Sequence, residues 1–251
     1  MDNEYIKPLR EVNSACILPD NLDTTVWRYM DFYKFASLIK DSALYMRRAD
    51  LLEDKFEGTY SRQQLLDDND WLKSRGYPDL INTEEKSRTK RRKSVYISSW
   101  CVNDIDLDLM WKAYARNPPG IAIKSTVRAL QRACDNDKAI EFWPLDISSV
   151  KYVNHAGGQY LNYPGIPEIF FTKDIHFRLD KELRIVCWQP RSEPTPEYIL
   201  LPVVLSDLIN CIVVGSKTSE KQILNIKEIL DNAGLNTTPI EFSRYDRELM
   251  E

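Results

Sequence analysis

Three groups of side chains stand out by type and spacing. Arg28 and Tyr29 lie in TVWRYM, Ser98 and Ser99 in VYISSW, and Asp180, Glu182 and Arg184 in the charged series DKELR, so the chain offers an arginine, a serine and an acid-x-acid pair in that order. If DKELR is extended, its period of two puts Asp180, Glu182 and Arg184 on one side. That side either lines a cleft or faces solvent, where Arg184 neutralises the acids in a surface ion pair worth about 0 to 1 kcal/mol. A second acidic loop, LLEDKFEG, crowds Asp54 and Glu57 around Phe56. Together Asp54, Glu57, Asp180 and Glu182, with Lys173 assisting, are the residue types of a magnesium-dependent nuclease. Spacing within each pair does not define a metal site, and no metal is expected. His155 sits in a glycine loop, and neither it nor His176 has a partner at ligand spacing. The five cysteines contain no CxxC, and Cys101 precedes an acidic stretch that raises a thiol pKa.

These residues need elements to hold them. Ser94 to Lys124 reads as the central unit: a strand through Tyr96 and Ser98, a helix, and a second strand from Ile121. Leu107, Met110, Trp111 and Tyr114 share one helical face, which points first to core and second to a platform for a flat base. Asn117, Pro118, Pro119 and Gly120 end that helix. Upstream, TVWRYM is the first strand, Asp31 caps a helix carrying Phe32, Phe35, Ala36 and Ile39, and Ser42 to Met46 is a second strand. Residues 59–93 form a polar helical insertion that ends in the basic run Lys86, Arg88, Lys90, Arg91, Arg92 and Lys93. A solvated face explains that run, with a nucleic-acid or anionic-ligand contact as the alternative. Later, Thr126 or Ser125 caps a helix to Cys134. Ile140–Trp143, Val150–Val153, Ile185–Trp188, Ile199–Leu205 and Ile209–Val214 read as strands. Ser219 and Gln222 have capping-box spacing ahead of a helix over 220–232, Gly234 closes it, and Ile240 and Phe242 mark an edge strand.

Residues 1–24 read as an arm, and residues 25–245 as one domain large enough for a real core. Strands scattered among helices without strict alternation give an α+β fold. We expect two mostly antiparallel sheets packed face to face with peripheral helices. A net charge of −4 supplies no global basic field, no apolar run is long enough to cross a bilayer, and the N-terminus lacks signal-peptide order. The expectation is a cytoplasmic protein without a membrane partner.

Four patches resemble the bacterial and phage family DUF2971. They are TVWRYM; Asp54, Phe56 and Glu57 in the acidic loop, with Glu53 and Lys55 departing from the family pattern; Ser98 followed by Leu109, Met110, Trp111, Tyr114, Ala115 and Gly120; and Lys173, Phe177, Asp180, Glu182 and Arg184. Phe177 stands where the family usually has tryptophan, and Asp180 where it has glutamate. The resemblance spans roughly residues 25–242. The order arginine, serine, acid-x-acid is also similar to the signature of ADP-ribosyltransferases and implies a fold of that kind. In that reading NAD is the co-substrate and a protein or nucleic acid the acceptor, in a bacterial or phage conflict system. Glu182 stabilises the oxocarbenium-like ribose, Ser98 orients Glu182, and Arg28 holds pyrophosphate. Tyr29, Trp111 and Tyr114 hold the nucleotide, while Asp54, Glu57, Asp180 and Arg184 support. A non-enzymatic module that binds a nucleotide or a protein segment is the third reading.

Overall fold

The computed structural model describes residues 16–54, 56–115, 119–142, 144–158, 168–189 and 195–244. Most of the N-terminal arm, the helix-stop residues Asn117 and Pro118, the loop over 159–165 and the end of the domain at 245 lie outside the described residues. Strand β1 (Thr25–Asp31) runs into helix α1 (Phe32–Asp41), where the Asp31 carboxylate accepts from the Lys34 backbone N–H at 2.9 Å. Phe35, Leu38 and Ile39 bury the inner face of α1, and β2 (Ala43–Arg48) follows. The insertion is a pair of helices, α2 (Arg62–Ser74) and α3 (Asp79–Lys93), leading into the central strand β3 (Val95–Val102). After α4 (Asp108–Tyr114) and β4 (Gly120–Thr126), the Thr126 hydroxyl caps α5 (Val127–Cys134).

Of the strand expected at Ile140–Trp143, the described residues Ile140–Phe142 are not extended, and Trp143 lies outside the described residues. Asn136 Oδ1 accepts from Ala139 N at 3.1 Å and starts a 3-10 turn over Asp137–Phe142 instead. An unforeseen β5 (Leu145–Ser149) follows, then β6 (Lys151–Val153), β7 (Thr172–Asp174), β8 (Glu182–Trp188) and β9 (Tyr198–Pro202). Pro202 is the last residue of β9, since proline brings no N–H to a ladder. The apolar run beyond it turns into a short helix, α6 (Leu205–Leu208), where a longer strand was expected. β10 (Cys211–Val214), α7 (Glu220–Asn232) with both halves of its capping box, and β11 (Ile240–Phe242) complete the chain. Gly234 takes φ +73° just past α7, a backbone conformation that glycine adopts without strain.

The fold is α+β, and its described strand pairs are antiparallel except β10 with β11 and β6 with β7. The strands do not hydrogen-bond as two separate large sheets. Nine join in one branched sheet with the path β11-β10-β4-β1-β3-β2-β9 and with β8 and β5 branching from β3, while β6 and β7 form a ribbon. One edge of β3 pairs with β8 from Val95 to Cys101. Its other edge is shared: β2 takes Tyr96 and Ile97, and β1 takes Cys101 and Val102. The stretch Ser98–Trp100 therefore faces a fork. One sheet face, with Val26, Met30, Tyr96, Trp100, Leu183 and Ile185, belongs to the main core. The other carries two smaller clusters, one around Trp27, Tyr29 and Cys101 and one around Ile97, Phe170 and Val186.

Candidate functional site

The acids and bases of the late series meet on the second face. Arg184 projects from β8 and is almost wholly buried, and its Nη1 and Nη2 donate to the two Glu57 oxygens at 2.7 and 2.6 Å. Nη1 also donates to the Phe170 carbonyl at 2.8 Å, and Nε donates to Glu182 Oε2 at 2.7 Å. The second Glu182 oxygen accepts from Lys173 Nζ at 2.5 Å, and the same ammonium reaches Asp180 Oδ2 at 2.8 Å. The Tyr152 hydroxyl accepts from the Glu182 backbone N–H at 2.8 Å. Acid and base thus alternate from Glu57 through Arg184, Glu182 and Lys173 to Asp180. Burial would raise the Glu182 carboxyl, but Arg184 and Lys173 together hold it at about 2. Glu57 is raised by burial despite the pull of Arg184.

One expectation about this series needs correction. Asp180 is not on the strand with Glu182; it ends a 3-10 turn over Ile175–Asp180, and Lys181 between them has φ 45°. The two carboxylates nevertheless converge, because both accept from Lys173. The network also binds distant pieces of chain together, since Glu57 comes from the loop after β2 and Lys173 from β7.

Arg28 and Ser98 do not join this network. Glu182 pairs in register with Cys101, and Arg184 with Ser99. Ser98 alternates with those residues and shares the face of Tyr96 and Trp100. Arg28, between Trp27 and Tyr29, leaves β1 on that same main-core face. The Ser98 hydroxyl accepts from Arg28 Nη1, not from Glu182. The expectation that Ser98 orients the Glu182 carboxylate is therefore wrong for this fold: both oxygens of Glu182 are occupied by cations, and Ser98 points the other way.

What Arg28 does instead follows from the fork. Its Nη1 also donates to the Ser99 carbonyl, and Nη2 to the Tyr45 carbonyl, both at 3.2 Å. Strand carbonyls lie in the plane of the sheet, so the guanidinium occupies the gap where β1 and β2 part and serves oxygens that a neighbouring strand would otherwise serve. Its carbon lies 5.7 Å from the Trp100 ring centre. No carboxylate stands against it among the described residues, and burial pushes its pKa down to about 10. Of five N–H groups, three are used; Nε–H and one Nη2–H have no acceptor among the described residues.

The aromatic expectations divide. Tyr29 is buried, its hydroxyl accepts from Leu107 N at 3.0 Å, and its ring meets Trp111 edge-on at 5.1 Å. Trp111 donates to Asp106 Oδ2 at 3.0 Å, so both build core. Tyr114, on the same helix, is half-exposed. An aromatic pair was missed: Tyr45, the residue whose carbonyl accepts from Arg28, stacks on Tyr198 at 4.9 Å, and both half-exposed rings leave the sheet on the face opposite to Arg28. The only sequence sign of it was the outward position of Tyr45 between buried Leu44 and Met46. Asp54 spends Oδ1 on Phe56 N at 2.8 Å, and its buried Oδ2 has no partner among the described residues. Buried His155 stacks on Phe56 at 4.9 Å. Cys101 is pushed up to about 11, chiefly by burial, which gives no reactive thiolate. Among the described residues, no three His, Cys, Asp or Glu side chains are grouped so as to hold a metal ion. No described helix is long and apolar enough to cross a membrane.

The chain matches no family model, no curated protein and no solved structure. The functional reading rests on this geometry.

Proposed function

We propose that this chain is a non-enzymatic binding module for an anionic nucleotide, held through its phosphate by Arg28 in the fork. The carrying observation is the contrast between the two arginines. Arg184 has its charge answered by Glu57 and Glu182, whereas Arg28 is half-buried and, among the described residues, has no carboxylate and keeps two N–H groups for an outside acceptor. A phosphate oxygen pair suits such a guanidinium, and it would supply the charge that Arg28 lacks.

The transferase reading, with NAD as co-substrate and Glu182 as the catalytic carboxylate in an ADP-ribosyltransferase-like fold, needs Glu182 to leave Lys173 or Arg184 first. Nuclease chemistry needs the same of four acids, three of which are bridged by those cations. Placement in DUF2971, a cytoplasmic setting and a role as a sensor in a bacterial or phage conflict system belong to the same proposal as the binding reading. Titration calorimetry with ADP, ADP-ribose and NAD, alongside an assay for released nicotinamide, tests it. Binding that depends on Arg28 without nicotinamide release supports the module. Nicotinamide release that Glu182→Gln abolishes would establish the transferase instead.

A further inference from the structure

The basic end of α3 is a second surface, separate from the fork. Lys86, Arg88, Lys90, Arg91, Arg92 and Lys93 occupy its last two turns, and no acid interrupts them. Arg88 lies near Asp68 of α2, but none of the six forms an ion pair within 4 Å among the described residues. Arg92 Nε is shielded from water and has no acceptor among the described residues. The helix has no fully buried residue: Lys86 and Lys90 are exposed, and Arg88, Arg91, Arg92 and Lys93 are partly covered. Part of their charge answers the helix dipole at the C-terminus, which takes one or two cations but not six.

The chemistry of a partner follows from what α3 lacks. From Asn82 to Lys93 the sequence NTEEKSRTKRRK contains no apolar residue. A protein interface needs a desolvated apolar centre, depleted of charge. An amphipathic membrane helix needs an apolar face to insert. A nucleic-acid backbone needs neither, since its interfaces are polar and strongly positive, and its affinity comes from neutralised phosphates. We infer that the basic end of α3 binds the phosphate backbone of a nucleic acid without reading its sequence.

The test is fluorescence anisotropy with a labelled DNA duplex and with its single strand, using wild type and the triple variant Arg88→Gln/Arg91→Gln/Arg92→Gln. The expected result is binding whose log–log salt slope approaches about −5 on duplex, falling to about half in the variant. At about 100 mM salt the variant should bind at least about tenfold more weakly. Arg88, Arg91 and Arg92 are partly covered, so the variant is first shown by circular dichroism and melting to be folded at the assay temperature, and a third protein, Lys40→Gln, should bind as wild type does. Absence of salt-dependent binding to both probes, or unchanged affinity in the triple variant, overturns the inference. So does tighter variant-sensitive binding to phosphatidylserine vesicles or to polyglutamate than to either nucleic acid, which would assign the surface to a membrane or to an acidic protein.

Discussion

Arg28 and Glu182 leave adjacent parts of one sheet on opposite faces, and they differ in how their charge is met. Glu182 has a cation on each oxygen, Lys173 at 2.5 Å and Arg184 at 2.7 Å. Among the described residues Arg28 has only a hydroxyl and two carbonyls. The first arrangement is complete without a ligand, and the second is not.

Removing Arg184 should unfold the region that it clamps. Arg184→Met leaves Glu57 and Glu182 buried without their main cation, and breaking a buried pair from one side costs about 3 to 5 kcal/mol. Urea denaturation should show that loss. A loss under about 1 kcal/mol would mean that the network is not structural.

Acid should act through Glu182. Its folded-state carboxyl is held at about 2 against an ordinary 4.5, so the stability it contributes is complete above 4.5 and is lost as pH falls toward 2, by about 3 kcal/mol in all. Glu57 is shifted the other way and offsets part of that loss. Stability measured against pH for wild type and for Glu182→Gln isolates the Glu182 share, and the variant should have the flatter profile over this range. Parallel profiles would contradict the assignment.

Gly58 fixes the seat of Glu57. It holds φ +65°, and an added Cβ would fall 2.2 Å from the Phe170 ring. Gly58→Ala should therefore destabilise by more than about 1 kcal/mol, seen as a lower melting temperature. An unchanged melting temperature would show that the loop after β2 can rearrange.

The elements with local signals were legible in the sequence. The Asp31 and Thr126 caps, the Ser219–Gln222 capping box and the strand of TVWRYM are all formed, because each depends on residues within one turn or one pleat of each other. What could not be read was long-range register. Glu57 and Arg184 stand 127 positions apart, and nothing in either motif announces their pairing. The fork arises because two strands share one edge of β3, so Ser98 takes Arg28 as its partner although the order of motifs had suggested Glu182. Local signals also failed where one residue broke a pattern: the αL conformation of Lys181 removed Asp180 from the strand that its spacing suggested.

The most direct test of the account is the dissociation constant for ADP, measured by calorimetry on wild type, Arg28→Lys and Arg28→Met. Both variants leave strand carbonyls with fewer donors, so each is first shown to be folded at the temperature used. The account predicts that wild type binds, that Arg28→Lys binds about tenfold or more weakly because it keeps the charge without the fork of donors, and that Arg28→Met loses binding. Equal affinity in wild type and folded Arg28→Met would contradict it.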